Sequence, residues 1–159
     1  MPLSNEDKLC GLKTIATIST GTFACGTMYH MYALHPTLLS DVEVAAALKV
    51  QRGITKRIWP LVGSLVVGIT ASSSTYLVSR NKEQEIPWLI GGATLAAFFP
   101  YTSYFLSPIN KKILSEQVPV SEGIAYLKRW YKFAGVRAAF TFGVFSYFTY
   151  ALAKKSVKE

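Results

Sequence analysis

The 159-residue chain has little charge and few cysteines for its length. Only 16% of its residues are charged, whereas an ordinary soluble protein has about 25%. The two cysteines, Cys10 and Cys25, do not form a CxxC pair, which argues against a redox or zinc site. HExxH, Walker-type and GxGxxG motifs are also absent. The sequence therefore predicts neither a metal site nor a bound cofactor.

The chain does have long apolar stretches. Half of its residues are hydrophobic, and the charges collect between four segments at residues 11–34, 58–78, 87–106 and 133–152. Each segment has about the 20 residues that a helix needs to cross a bilayer. We therefore predict an all-α fold, in which residues 1–159 form one integral membrane domain built as a bundle of four transmembrane helices. The first segment is rich in threonine, so we expect the other three to shelter it.

The connections between the segments predict how the helices are arranged. Residues 79–86 join the second and third segments in a hairpin, so both termini should lie on the side of this short loop. We expect helical extensions in the two long connections. Ser40 to Glu43 match a capping box before the first extension. Pro119 and Ser121 mark the start of a helix that continues into the fourth segment. Pro87 suits the first turn of the third helix.

A formal net charge of +8 raises the question of a nucleic-acid partner. The basic residues lie beside apolar segments, as Lys56 and Arg57 do before the second and Lys154 and Lys155 do after the fourth. Anionic lipid headgroups attract cations at such positions. We therefore expect membrane lipids as partners and no nucleic acid. The pattern is compatible with the endoplasmic reticulum and with the mitochondrial inner membrane.

Small residues recur every four positions in two segments, at Ser64, Gly68 and Ser72 and at Gly135, Ala139 and Gly143. Such ridges let helices pack closely in lipid. At 3.6 residues per turn, Arg137 lies about 200° around the fourth helix from the second ridge. If that ridge packs inward, Arg137 extends to the headgroups, and if the ridge faces lipid, Arg137 points into the bundle. The sequence favours neither arrangement.

Several polar residues are candidates for a site. His30 shares a stripe with Thr22 and Gly26, and an ionisable group inside a membrane bundle is a candidate functional residue. The plainer interpretation is a neutral histidine that bonds to a neighbouring helix. His35, Asn110 and Arg137 should emerge near the same membrane face, where they would meet around one polar mouth.

The order of these residues resembles the anthrone-oxygenase-like family of small four-helix membrane proteins. The resemblance rests on His35-Pro36, Arg52-Gly53, Pro108-Ile109-Asn110, Trp130 and Arg137. It implies a pocket for a flat lipophilic molecule, and for the fungal members it implies oxidation of an anthrone by molecular oxygen without a cofactor. The ligand-binding residues would then be His30, Trp130, Tyr101 and Tyr104, with Phe98 and Phe99.

Under this hypothesis, His35 acts as the general base, Arg137 stabilises the developing oxyanion and Asn110 orients the substrate oxygen. The alternative hypothesis is a non-catalytic accessory subunit that packs within a larger membrane complex, such as a respiratory assembly. In that case His35-Pro36 ends the first helix, and the aromatic residues serve ordinary packing.

Overall fold

The computed structural model describes residues 4–156, and this part of the chain is helical with no strand. The predicted all-α class is confirmed. The elements, in chain order, are α1 (Asn5–Tyr29), π1 (His30–Leu34), α2 (His35–Ser40), α3 (Val44–Arg57), α4 (Trp59–Val78), α5 (Lys82–Ala96), α6 (Phe98–Tyr101), π2 (Thr102–Leu106), α7 (Ser107–Leu114) and α8 (Val120–Ser156). The segments labelled π are single wide turns of π-helix.

The four long helices pack in a ring. Helix α1 lies against α4 and α8, and α5 lies against the same two helices from the other side. Helix α3 crosses one end of the ring, where it contacts α7 and α8. At the opposite end Asn5, Asn81 and Lys154 line one cavity, so the start of α1 and the last turns of α8 lie beside the short loop, as predicted.

The first helix does not end at His35-Pro36, contrary to the terminator interpretation. In π1 the chain widens by one residue, so the amide of His35 donates five residues back to the carbonyl of His30. Pro36 then falls in the first turn of α2, where its missing N–H costs little. The helical path therefore continues to Ser40.

The helix of the third predicted segment contains the same kind of π turn. Turn π2 lets Ser107 donate to the carbonyl of Thr102, so Pro108 lies in the first turn of α7. The helical path runs from Lys82 to Leu114, beyond both predicted ends of the segment. Pro87 consequently lies inside α5 and not in its first turn.

Both predicted loop helices are present. Helix α3 occupies the first long connection, but Glu43 is its N-cap, with no side-chain bond, and the predicted capping box at Ser40 does not form. Ser40 instead ends α2, with its hydroxyl donating to the carbonyl of Pro36. Helix α8 starts at Val120 and continues unbroken through the fourth segment.

The two small-residue ridges face opposite ways. The ridge on α4 is an inward one, since a Cβ at Gly68 would lie 2.9 Å from the hydroxyl of Thr20. On α8, Ala139 and Gly143 are exposed, and a Cβ at Gly143 would meet nothing within 4 Å. Apart from Gly135, which is half-buried against Met31, this ridge faces outward, so of the two arrangements left open by the sequence it is the inward Arg137 that the structure adopts.

Helix α1 is not sheltered among the other three helices, contrary to the prediction, because it packs against α4 and α8 and leaves Thr14 and Thr22 exposed. Thr17, Thr22 and Thr27 donate to carbonyls three or four residues earlier, so their hydroxyls are satisfied within the helix. Within the described residues, Trp59–Val78 and Lys82–Leu114 are long and apolar enough to cross a membrane. That finding supports membrane association, and the count of four spans stays a prediction.

Candidate functional site

Arg137 is a buried cation without a buried anion. It lies on α8 and is only 8% exposed. Its Nη1 donates to the hydroxyl of Thr102 on π2 at 3.5 Å, and its guanidinium lies 5.5 Å from the centre of the Phe23 ring. The ion pairs in residues 4–156 are formed by other side chains, and its Nε is buried with no hydrogen-bond partner there. An uncompensated charge in an apolar interior is costly, so a ligand anion would gain strongly from meeting it.

Two cavities meet at Arg137 and Trp130. The histidine cavity, of about 610 Å³, opens between α1, α3 and α8 and includes His30 and Ala134 in its lining. The asparagine cavity, of about 530 Å³, lies on the other side, and Asn110 lines it. Trp130, Ala134 and Arg137 follow at four- and three-residue intervals, which puts them on one face of α8. A volume of 500–600 Å³ suits a small organic molecule.

Trp130 organises the side chains around this junction. Its Nε1 donates to Oδ1 of Asn110 at 2.9 Å, which fixes the indole against α7. The His30 ring lies 4.8 Å from the indole, and the His35 ring stacks on it at 5.6 Å, nearly parallel. One indole thus separates Asn110 from the two histidines, which helix π1 brings to within 6.0 Å of each other.

His30 is a polar residue of the histidine cavity's lining, and Gln51 lies behind it, outside the lining. His30 lines the cavity, and its Nε2 has no partner in the described residues. Gln51, on α3, faces His30 and is fully buried, with neither amide atom bonded to a described residue. Buried amides are normally satisfied. The sequence interpretation missed Gln51, although it falls on the Ala47 and Leu48 stripe of α3, four residues after Ala47.

His35 lies behind the indole and does not line either cavity. It is fully buried between Trp130 and Tyr131. It lies just after the predicted first span. Burial lowers the pKa of His35 to about 4, and the nearby His30 contributes a smaller part of this shift. The expected meeting of His35, Asn110 and Arg137 therefore holds only for the last two, and His30 takes the cavity position that we assigned to His35.

The predicted aromatic wall is half correct. Phe98 and Phe99 line the asparagine cavity. Tyr104 points away from it and is 77% exposed, and Tyr101 donates to the backbone carbonyl of Phe133. Neither tyrosine lines either cavity.

The site offers cations and imidazoles but no acid. No carboxylate lines either cavity. Among residues 4–156, no three His, Cys, Asp or Glu side chains lie close enough to hold a metal ion. The arrangement can bind an anionic or phenolic oxygen at Arg137 and can accept a proton at His30.

Comparison with known proteins gives one result. A family model described as Anthrone oxygenase matches residues 51–147, which is more than half of the chain. The matched region contains Gln51, Asn110, Trp130 and Arg137. No curated protein and no solved structure matches the chain.

Proposed function

Because the chain belongs to the anthrone oxygenase family, we propose that it binds a lipophilic aromatic compound of the anthrone or hydroquinone class and oxidises it with molecular oxygen. The reaction would take place in the histidine cavity, between α1, α3 and α8. The resemblance to this family, expected from the sequence, is confirmed by the match.

The observation that carries the proposal is that one apolar cavity holds Arg137 and His30 together. Both line it, and each has a buried nitrogen without a partner in the described residues. A preorganised cation in a site that excludes water stabilises negative charge that develops during a reaction. An imidazole is the side chain best suited to accept a proton near neutral pH.

An anthrone reacts by losing a proton from the methylene carbon opposite its carbonyl. His30 accepts this proton, and the charge moves to the ring oxygen, which Arg137 stabilises. The carbanion carbon then bonds to O2, and the proton held by His30 returns to the peroxide oxygen. Loss of water from this hydroperoxide leaves the second carbonyl. One anthrone and one O2 give one anthraquinone and one water, so no further reductant is consumed.

The surface supports a membrane location for this chemistry. Each of the four long helices has large apolar side chains that are more than half exposed. Examples are Ile18, Leu77, Ile90 and Tyr150. Exposed apolar area on that scale calls for lipid or a protein partner. We propose that all four helices span the bilayer, so that a lipophilic substrate enters the cavity from the lipid phase.

Turnover by the purified protein tests the proposal. The protein in lipid nanodiscs should consume oxygen and form 9,10-anthraquinone from anthrone faster than empty nanodiscs do. His30→Phe, which keeps a ring beside Trp130, should lower the rate about 10² to 10⁴-fold, the usual effect of losing a general base. Tyr104→Phe, on the outer face, is the matched control and should retain the wild-type rate. A wild-type rate equal to that of empty nanodiscs, with anthrones, hydroquinones and naphthols alike, would refute the proposal.

One observation favours the accessory-subunit function as the second candidate. The outward ridge of Ala139 and Gly143 borders an apolar groove of about 630 Å³ between α5 and α8, which has the shape that accepts a neighbouring helix. Purification from native membranes separates the two functions. Stable co-purification with larger subunits, in the absence of turnover, would support the second candidate.

A further inference from the structure

Helix α3 presents two cations to the mouth of the histidine cavity. Lys49 and Arg57 lie two turns apart and both line this cavity, with Gly53 between them. Both are exposed, and neither forms an ion pair with a described residue. Arg52, on the same helix, contrasts with them, because it pairs with Glu116 and donates to the carbonyl of Ile113. Arg52 holds α3 against α7, whereas Lys49 and Arg57 form no ion pair within the described chain.

The cavity is therefore positively charged at two depths. Arg137 lies at its inner wall, Lys49 and Arg57 lie at its mouth, and no carboxylate lines it. A cleft lined by charges of one sign focuses the field and raises the local concentration of oppositely charged ligands. The substrate oxygen that meets Arg137 accounts for the inner cation only. Lys49 and Arg57, at the mouth, remain available to bind a second acidic group.

We propose that the substrate is an aromatic acid, whose carboxylate binds Lys49 and Arg57 while its ring oxygen meets Arg137. This inference rests on the proposed function and names its substrate class. The carboxylate stays at the mouth, where water still reaches it, so its desolvation cost is small. The apolar ring system occupies the space between Ile54, Leu61 and Trp130.

Binding of two matched ligands tests the inference independently of turnover. The ligands are anthraquinone-2-carboxylate and anthraquinone-2-carboxamide, which share a shape and differ in charge. Affinity is measured by quenching of tryptophan fluorescence, since Trp130 lines the cavity, in nanodiscs of phosphatidylcholine, which has no net charge. We expect the carboxylate to bind about tenfold more tightly, the sum of two partly exposed ion pairs, and the difference to shrink as salt is added.

The variant K49Q/R57Q should bring the two affinities to within about twofold while leaving carboxamide binding unchanged. K128Q is the matched control, because Lys128 is exposed on α8 and lines neither cavity. It should keep the tenfold difference.

Four results would overturn the inference. Equal affinities in the wild type, or a tenfold difference that survives K49Q/R57Q, would mean that these cations do not bind the carboxylate. The proposed function would still stand in either case. If added phosphatidylglycerol abolished the difference at constant ionic strength, the mouth would belong to lipid phosphate. If neither ligand bound, the proposed function itself would fail, and this inference with it.

Discussion

Lys13 and Arg137 are both buried cations, one at each end of the helical ring, and their surroundings differ in one respect. Lys13 lies 2.7 Å from Oε1 of Glu85 and 5.8 Å from the centre of the Trp88 ring, at the end that carries the termini. Among residues 4–156, the partners of Arg137 are the hydroxyl of Thr102 and the face of Phe23. Both cations are about nine-tenths buried, so exposure does not explain the difference.

The difference indicates different roles. A buried cation with a carboxylate partner has its charge balanced within the fold, and it joins α1 to α5. A buried cation without such a partner is balanced only when an anion arrives from outside. We therefore propose that Lys13 serves stability and that Arg137 serves ligand binding.

The largest stability effect is expected at the paired end. Lys13→Met should lower the free energy of unfolding by about 3–5 kcal/mol, because Glu85 would be left buried without its cation. The double variant Lys13→Met with Glu85→Leu should recover most of this loss, since two well-packed apolar residues can replace a buried pair. Denaturation in detergent measures both. A single variant as stable as the wild type would show that the pair contributes nothing.

A third buried basic side chain extends the comparison, because it is held neutral. The pKa of His35 is about 4 in the fold and 6.5 in the unfolded chain. Between pH 4 and pH 6.5 the unfolded chain binds a proton at His35 that the folded chain does not. The stability that neutral, buried His35 contributes is therefore fully present above pH 6.5 and is lost as the pH falls toward 4. His35→Phe should therefore lose less stability than the wild type between pH 6.5 and 4. Identical pH profiles would contradict this burial effect.

The smallest contrast concerns two neighbouring alanines on α8. Ala138 is buried, and Ala139 belongs to the outward ridge. Ala138→Leu should cost about 1–3 kcal/mol by overpacking, whereas Ala139→Leu should change the free energy of unfolding by less than about 0.5 kcal/mol. Thermal unfolding of the two variants, measured side by side, tests this difference in stability. A reversed order would mean that the ridge packs inward and that Arg137 points out.

The helices were predictable from the sequence because apolar stretches and helix length follow directly from composition. Their continuity through Pro36 and Pro108 was not, because a proline normally ends the helix before it. The π turns that allow it place each proline in the first turn of the following helix, and no local motif predicts them. These same turns carry His30 and Thr102 into the site.

The site was predictable in its residue types and less so in its geometry. Asn110, Trp130 and Arg137 do lie at one junction, but helical spacing left the orientation of Arg137 open, and the packing of α8 decides it. The exchange of roles between His30 and His35 depends on one extra residue in π1. The pair of Lys13 and Glu85 spans 72 residues of chain, so no local pattern reveals it.

The most direct test compares the two ends in one set of measurements on the wild type, Arg137→Met and Lys13→Met/Glu85→Leu. Each protein is assayed for unfolding free energy and for anthrone turnover in nanodiscs. Arg137→Met should be at least as stable as the wild type, because an unpaired buried charge has been removed, yet its turnover should fall about 10² to 10³-fold. The double variant should keep its turnover. An Arg137→Met protein that is destabilised and still turns over at the wild-type rate would contradict the account, since the guanidinium would then serve the fold alone.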